Sequence, residues 1–579
     1  MPNMIQNAKD SISQILNAAY QKAAEKGELP AGAALSGTVE IPKYSANGDF
    51  AANHAMAGAK ALRMAPRKIA ETLIANADLA DTWFASVEVA GPGFINFRLA
   101  DRWYADVLQA VTREGADYGR SDIGHGQKVM VEFVSANPTG PMHMGNARGG
   151  VLGDALASVL DRAGYQVWRE FYVNDAGNQI EKFANSIDAR YQQLLLGEEQ
   201  VAFPEDGYHG DDIKDLAKLF YEANGDKYLT VPVAERHQAM AEFGLQRNIP
   251  KMQEDLRRYG IEYDQWFFES ELHESGYVAE SVQKLTDRGY TYEKDGALWL
   301  KTSQILAEQL LKAGKKQEEI DKLELKDDVL RRANGFYTYF AADIAYHRNK
   351  LEKRGFDKAI NVWGADHHGH VARLKGAMDA LGLDGEHRLD IVLMQLVKLT
   401  RNGEVVRMSK RTGKAISLTD LLDEIPVDAA RYFFNSRPES PVEFDLELAI
   451  RQDSENPVYY VQYAHARICT LLSALAAEGH TVPASADAAL LSTPEEKELI
   501  KQLAALPEEI RLAARDYDPS RINRYVTELA ARFHRFYTVC RIKGAESDVQ
   551  AARLLLADCV RRVIAVSLGI IGVTAPEKM

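Results

Sequence analysis

The sequence predicts a multidomain α/β protein in which a doubly wound parallel sheet is flanked by an N-terminal α+β unit and a C-terminal all-α helical bundle. Three observations carry this. An apolar run at 129–134 leads into a Pro/Gly loop, a helical stretch at about 146–163 and a second strand-like run at 166–173, which together make one βαβ unit. The first ~115 residues mix helical periodicity with an alternating, Gly-punctuated stretch, at a plausible domain size. After about Pro426, helical segments follow one another with short breaks.

In the first unit, residues 1–115, Ile5, Ile12, Leu16 and Ala19 form a stripe at helical spacing over 3–25. A second helical stretch spans 51–76, and Pro66 inside it is suited to start a new helix after Met64 and Ala65. Residues 83–99 alternate around Gly91-Pro92-Gly93, which reads as a hairpin. Residues 115–126, rich in Gly and Asp, read as a linker. The second unit, 125–425, is a Rossmann-like domain with further strand candidates at 359–363 and 390–396. A charged, mainly helical stretch at about 180–330, with a hairpin-like piece at 290–301, reads as an insertion. The third unit, 426–579, holds helices expected at 428–435, 457–478, 493–514, 520–540 and 549–568.

The chain has 579 residues, 46% hydrophobic and 26% charged, with 83 acidic against 69 basic side chains. This composition excludes disordered, collagenous and disulfide-rich classes, and its net charge of −14 excludes a cationic coat for nucleic acid while allowing a local basic patch. Cys469, Cys540 and Cys559 are too few for a disulfide framework or a four-cysteine zinc site, which points to a reducing, cytoplasmic setting. No secretory signal is expected at the N-terminus, and the longest apolar stretch, 563–573, is too short to cross a bilayer.

Two segments carry chemistry. Val131-Glu-Phe-Val-Ser-Ala-Asn-Pro-Thr-Gly-Pro-Met-His143-Met-Gly-Asn146 sits where a parallel strand ends and a helix starts, where such sheets bind ligands. His143 and Asn146 fall at the helix N-terminus, whose free N–H groups and dipole favour phosphate. Gly145 permits close approach of a nucleotide, and Gly149, Gly150 and Gly153 permit close helix packing. Alone, a His-x-Gly is equally the mark of a tight turn with a surface histidine. Further on, Gly403-Glu-Val-Val-Arg407-Met408-Ser409-Lys410-Arg411-Thr-Gly413-Lys414 sets four cations among small residues, able to wrap a polyphosphate as pyrophosphate leaves. Alone, it also reads as a solvated basic loop.

Together these segments resemble the signature pair of class I aminoacyl-tRNA synthetases. His143-Met-Gly-Asn146 matches that family's His-Ile-Gly-His tetrad at two positions, and Arg407-Met-Ser-Lys-Arg411 resembles Lys-Met-Ser-Lys-Ser. The arginyl branch is the one resembled over nearly the whole chain. Ser135-Ala-Asn137-Pro, Tyr172-Val-Asn174-Asp175-Ala-Gly177, Val427-Asp428-Ala-Ala-Arg431-Tyr432 and Gly91-Pro-Gly-Phe-Ile-Asn-Phe each resemble one of its elements. The resemblance implies ATP-dependent activation of L-arginine to arginyl-adenylate, with tRNA bound first, and transfer to the 3′-terminal adenosine of the cognate tRNA. It implies ATP and Mg2+ as cofactors, and a monomer without membrane attachment is expected.

The site residues follow from the same resemblance. His143, Asn146 and Lys410 are the expected catalytic residues. Gly145, His143, Gly364, Asp366, Arg407, Met408, Ser409 and Lys410 are the expected ATP contacts, the 364–370 stretch lying near the adenosine. For arginine, a guanidinium requires a carboxylate partner, and Tyr339-Phe-Ala-Ala-Asp343 matches the family's Tyr-x-x-x-Asp, with Asn137 at the α-amino or carboxylate end and Asn174 a further expected arginine contact. Arg431, Tyr460, Arg467 and Met579 are the expected tRNA contacts. Residues 501–579 hold 13 Lys and Arg against 9 Asp and Glu, and Arg521, Arg524, Arg532 and Arg535 recur among Tyr525, Phe533, Phe536 and Tyr537. That pattern suits unstacked bases, and equally a bundle core with a solvated face. His367, His368 and His370 also invite a metal reading, but no cysteine or spaced acidic cluster completes a zinc shell, so no metal is assigned.

Overall fold

The apolar runs at 129–134 and 166–173 become the inner strands of a five-stranded parallel sheet: β1 (Lys128–Glu132), β2 (Gln166–Val173), β3 (Gln265–Phe268), β4 (Lys358–Gly364) and β5 (Leu389–Met394). In the computed structural model, which describes residues 3–395, 397–406, 416–436 and 442–579 without the side chains of Ser45, Asp366 and Val442, their order is β5-β4-β1-β2-β3. Val129, Met130 and Val131 are buried, as strands covered on both faces require. Helix α1 (Met144–Arg162) joins β1 to β2 and lies directly on the sheet. Its closeness depends on Gly153, where a Cβ would stand 2.1 Å from the Phe133 ring. The chain leaves β1 on one side of the sheet and later returns through β4 on the other. The carboxyl ends of these two strands therefore flank the switch point, where open α/β sheets bind ligands.

Three expectations are corrected. Residues 180–330 do not form one uninterrupted insertion, because β3 is the edge strand of the sheet and pairs with β2 from Glu170 opposite Gln265 to Val173 opposite Phe268. Four residues with aromatics on both faces show no alternation, so the strand leaves no periodic signal. The helical part of this stretch, Asn178–Leu196, Asp211–Asn224 and Val233–Arg258, has its own core of Phe183, Ile187, Tyr191, Phe220 and Met240. The region after Pro426 is not wholly helical: Val442–Asp445 pairs in parallel with Val397–Arg401. Residues 115–126 are not a loose linker either. Tyr118 is buried and donates its hydroxyl to Leu503 O at 3.0 Å.

The N-terminal unit packs helices Met4–Glu25, His54–Leu62 and Pro66–Asn76 with a four-stranded antiparallel sheet that contains the hairpin Phe84–Ala90 and Phe94–Leu99. The C-terminal bundle is built of Pro457–Ala477, Pro494–Asp516, Ser520–Val539 and Ser547–Ile570. One continuous apolar core runs from the N-terminal unit past α1 into this bundle. Among the described residues, no helix is long and apolar enough to cross a membrane.

Candidate active site

A cleft of about 1340 Å3 opens at the carboxyl ends of β1 and β4. Of the sequence-predicted residues, Asn137, His143, Gly145, Asn146, Asn174, Asp343 and Gly364 line it together. Tyr339 does not; it is 41% exposed at the start of helix α2 (Tyr339–Arg348), its ring beside Gly177. The side chain of Asp366, and all of Arg407, Met408, Ser409 and Lys410, lie outside the described residues.

At one end of the cleft, His143 is the N-cap of α1. Its Nδ1 accepts the Gly145 N–H at 3.2 Å, while its own N–H donates to Asn146 Oδ1 at 3.0 Å, closing a reciprocal capping box. Asn146 thus fixes the turn that presents the histidine. Because Nδ1 accepts, the proton of the neutral ring sits on Nε2. Burial holds the His143 pKa below its ordinary value. The turn is pinned from outside as well: His143 forms a β-bridge with Ser417, and Leu418 N–H donates to Met142 O at 2.8 Å. The residues that immediately follow the basic segment are therefore seated on the first motif.

The floor of the cleft holds a buried ionic network that sequence reasoning missed. Lys350 Nζ meets Glu132 Oε2 at 2.6 Å with the lysine side chain fully buried, and also donates to Asn361 Oδ1 at 3.1 Å. Asn361 Nδ2 donates to His347 Nε2 at 2.6 Å, and His347 Nδ1 donates to Asp343 O at 2.8 Å. Glu132 Oε1 accepts the Ser135 hydroxyl, which in turn accepts the Tyr172 N–H. These bonds restrain a strained turn, since Val134 and Ser135 have φ of 70° and 43°, a region costing about 1–3 kcal/mol per residue outside glycine. The backbone is thus bent away from β1 so that Asn137 reaches the cleft.

Desolvation first, and the Lys350 charge second, push the His347 pKa well below its ordinary value. Burial likewise lowers those of His54, His143, His465 and His534. For a base whose folded pKa is depressed, the unfolded chain binds more protons once the pH falls below about 6.5, so stability is lost on acidification. The exposed His387, raised by its bond to Asp384, works in the opposite direction but counts little at full exposure. The melting temperature is therefore expected to be lower at pH 5.5 than at pH 7.5; an equal or higher melting temperature at pH 5.5 would contradict this assignment.

At the opposite end, Asp343 on α2 faces helix α3 (His368–Ala380), where His370 Nε2 lies 2.9 Å from Asp343 Oδ2. His370, read from the sequence as part of a stretch near adenosine and alternatively as a metal ligand, sits instead against Asp343, the acid expected to face arginine. Asn174, with its amide turned to donate, reaches Ala176 O at 3.0 Å and Glu269 Oε2 at 3.2 Å. Trp363, at the end of β4, lines the cleft with its ring 5.7 Å from that of His370. The helical insertion adds Tyr208 and His209, from a loop no local motif marks, and Asp212, from the first turn of the helix Asp211–Asn224, to the lining. Among the described residues, no group of three His, Cys, Asp or Glu forms a metal site.

The expected RNA-binding residues divide. Arg431 is corrected: it is fully buried, and its guanidinium bonds to Ile571 O, Tyr259 O and Gly260 O at 3.1 Å each and pairs with Asp154 at 2.5 Å, leaving no surface for RNA. Arg521, Arg524 and Arg532 are engaged with acids of the bundle, while Tyr525, Phe533 and Phe536 are core, so most of that stripe is the ordinary bundle arrangement. Tyr460 packs on His534, and Arg467 lies 4.2 Å above the Tyr537 ring and 6.0 Å from that of the exposed Tyr463. Met579 is 54% exposed.

Residues 6–99 match the arginyl tRNA synthetase N terminal domain, 107–442 the catalytic domain of class I (R) tRNA synthetases, and 461–579 the DALR anticodon binding domain. The chain is 54% identical to an arginine–tRNA ligase of Caldanaerobacter subterraneus subsp. tengcongensis and 52% identical to that of Acetivibrio thermocellus, each over 582 aligned residues covering 100% of both chains. A solved chain from Campylobacter jejuni superimposes with a TM-score of 0.73 at 33% identity, covering 83% of this chain and 100% of the other. The Thermus thermophilus arginyl-tRNA synthetase shares the fold at a TM-score of 0.72 and 21% identity, over 97% of this chain and 99% of the other. With matches over all three units and full-length identity above half, the chain belongs to the arginyl-tRNA synthetase family of class I aminoacyl-tRNA synthetases.

Proposed function

We propose that this protein activates L-arginine with ATP and transfers the arginyl group to the 3′-terminal adenosine of its cognate tRNA. The observation that carries this reading is a single cleft at the sheet's switch point, holding a helix N-terminus capped by a neutral histidine and, on its far wall, the carboxylate of Asp343. An oxygen of the arginine carboxylate attacks the α-phosphorus of ATP as the bond to pyrophosphate breaks. The ribose hydroxyl of the tRNA end then attacks the carbonyl carbon and AMP leaves. Both steps proceed by positioning and charge neutralisation with no covalent enzyme intermediate.

In this reading His143 steadies the phosphates through Nε2–H, Asn146 fixes His143, and Gly145 and Gly364 give the nucleotide close approach to backbone. Asn137 and Asn174 take the α-amino and carboxylate end of arginine, Asp343 its guanidinium, and Tyr339 covers the rim. Arg407, Met408, Ser409 and Lys410 belong to the pyrophosphate. Lys410 precedes by seven positions in the sequence Ser417, the residue that bridges to His143. Mg2+ would enter with the nucleotide as its counter-ion and would neutralise charge on the departing pyrophosphate. Tyr460, Arg467 and Met579 are assigned to the anticodon end of the tRNA. We assign the protein as a cytoplasmic monomer, consistent with free Cys469, Cys540 and Cys559.

Aminoacylation of total tRNA with each labelled amino acid in turn tests the reading; charging with any amino acid in place of arginine overturns it. Lys410→Ala is expected to lower arginine-dependent pyrophosphate exchange, measured with tRNA present, by about 100-fold, the loss typical of a contact to charge developing in the transition state. Its KM for arginine should stay as it is. Unchanged exchange would remove Lys410 from this role.

A further inference from the structure

We propose that His370 is a positioning residue for the amino-acid pocket: held as a neutral Nε2–H donor by Arg373, it orients the Asp343 carboxylate and leaves that carboxylate's charge for the substrate cation. The inference deepens the reading above and rests on Asp343 being the guanidinium partner.

Five side chains form one hydrogen-bonded relay: Thr302, Asp328, Arg373, His370 and Asp343. Arg373 Nη2 lies 3.2 Å from His370 Nδ1, and a guanidinium only donates. Nδ1 must therefore be the accepting, unprotonated nitrogen, and the ring proton belongs to Nε2. Nε2 is 2.9 Å from Asp343 Oδ2, so it donates to that oxygen. Arg373 is fixed in turn, because its Nη1 donates to Asp328 Oδ1 at 2.6 Å and Asp328 Oδ2 accepts the buried Thr302 hydroxyl at 2.8 Å. The relay runs from the three-stranded sheet that contains Asp328 through α3 to α2, and Phe340 and Trp363 flank the His370 ring with centroids at 5.2 and 5.7 Å.

Each member has one consequence for specificity. The Arg373 charge is met by Asp328 and does not reach Asp343 directly. A protonated histidine at this place would be a competing cation for the same carboxylate. A neutral one fixes the rotamer of Asp343 while leaving its negative charge in place. A lysine or arginine opposite Asp343 would hold the acid equally well and would abolish the pocket's preference for a cationic side chain.

The test is steady-state kinetics on the full-length protein with cognate tRNA, varying arginine and ATP separately. His370→Leu is expected to raise the KM for arginine by about tenfold or more, the value of one hydrogen bond to a charged group, with the KM for ATP within about twofold of the parent. His370→Gln, which can still offer an N–H near the Nε2 position, should recover most of the loss. Arg373→Met should raise the arginine KM in the same direction, and combining it with His370→Leu should add little, because both act through one bond. Thermal melting of each variant checks folding, and Arg373→Met carries the test if His370→Leu fails to fold. An unchanged arginine KM in both single variants, a rise confined to the KM for ATP, or fully additive effects would overturn the proposal. Failure of the parent protein to charge arginine would instead overturn the proposed function, so the two failures are distinguishable.

Discussion

Arg431→Ala is expected to lower the melting temperature by roughly 10 °C while leaving the KM for tRNA, measured below the transition, unchanged. Removing one member of a buried ion pair costs about 3–5 kcal/mol, because the partner is left charged and unpaired. Each kcal/mol shifts the melting temperature by about 2–4 °C in domains of 150–250 residues. Here the loss is compounded. Arg431 is fully buried and joins three parts of the protein: the carbonyl of Ile571 at the end of the last helix, the turn Tyr259–Gly260, and Asp154 on α1. Asp154 retains Arg169 at 3.1 Å, so the acid is not wholly abandoned, but three carbonyls lose their donor. The fit is tight on the other side too, since a Cβ at Gly572 would stand 2.0 Å from Arg431 Nη2, where the backbone also has φ +65°. Scanning calorimetry together with aminoacylation at varied tRNA decides the matter. A preserved melting temperature with a raised KM for tRNA would return Arg431 to the RNA surface.

The Arg431 case shows where the sequence is legible and where it is not. Its motif was recognisable, but a motif does not say whether a side chain faces solvent or joins domains, and a charged residue reads by default as surface. The βαβ unit was legible because long apolar runs and a glycine-bearing helix leave a strong periodic trace. The strands Gln265–Phe268 and Val442–Asp445 were not, since four residues complete no period and their pairing is decided by distant partners. In the site, Asn137, His143, Asn174, Asp343 and Gly364 reach one cleft from four separate stretches, each marked by a local pattern. The network beneath them left no such trace. Glu132, Lys350, Asn361 and His347 look like ordinary polar residues until the sheet brings β1, β4 and the end of α2 together. The tautomer of His370 is likewise a property of three-dimensional neighbours alone.

Asp343→Asn is expected to lower kcat/KM for arginine by about 1000-fold, chiefly through KM, while the KM for ATP changes by less than about twofold. The reason lies in how the acids around the cleft are compensated. Glu132 is neutralised by Lys350 at 2.6 Å, Glu170 by Arg354 at 2.5 Å and Asp328 by Arg373 at 2.6 Å. Asp343 is held by a histidine that the Arg373 bond keeps neutral. Its charge is therefore set in a partly enclosed cleft with a hydrogen bond but no cation among its described partners, the condition in which an incoming guanidinium gains most. Losing the charged member of such a pair typically costs about 2–5 kcal/mol, and the expected 1000-fold corresponds to about 4. The amide keeps the size and one accepting oxygen, so packing and the His370 contact persist and the loss reports charge. Discrimination against citrulline, which has nearly the same shape without the charge, should narrow by a similar factor. An unaltered arginine KM, or undiminished discrimination, would place the guanidinium partner on another carboxylate.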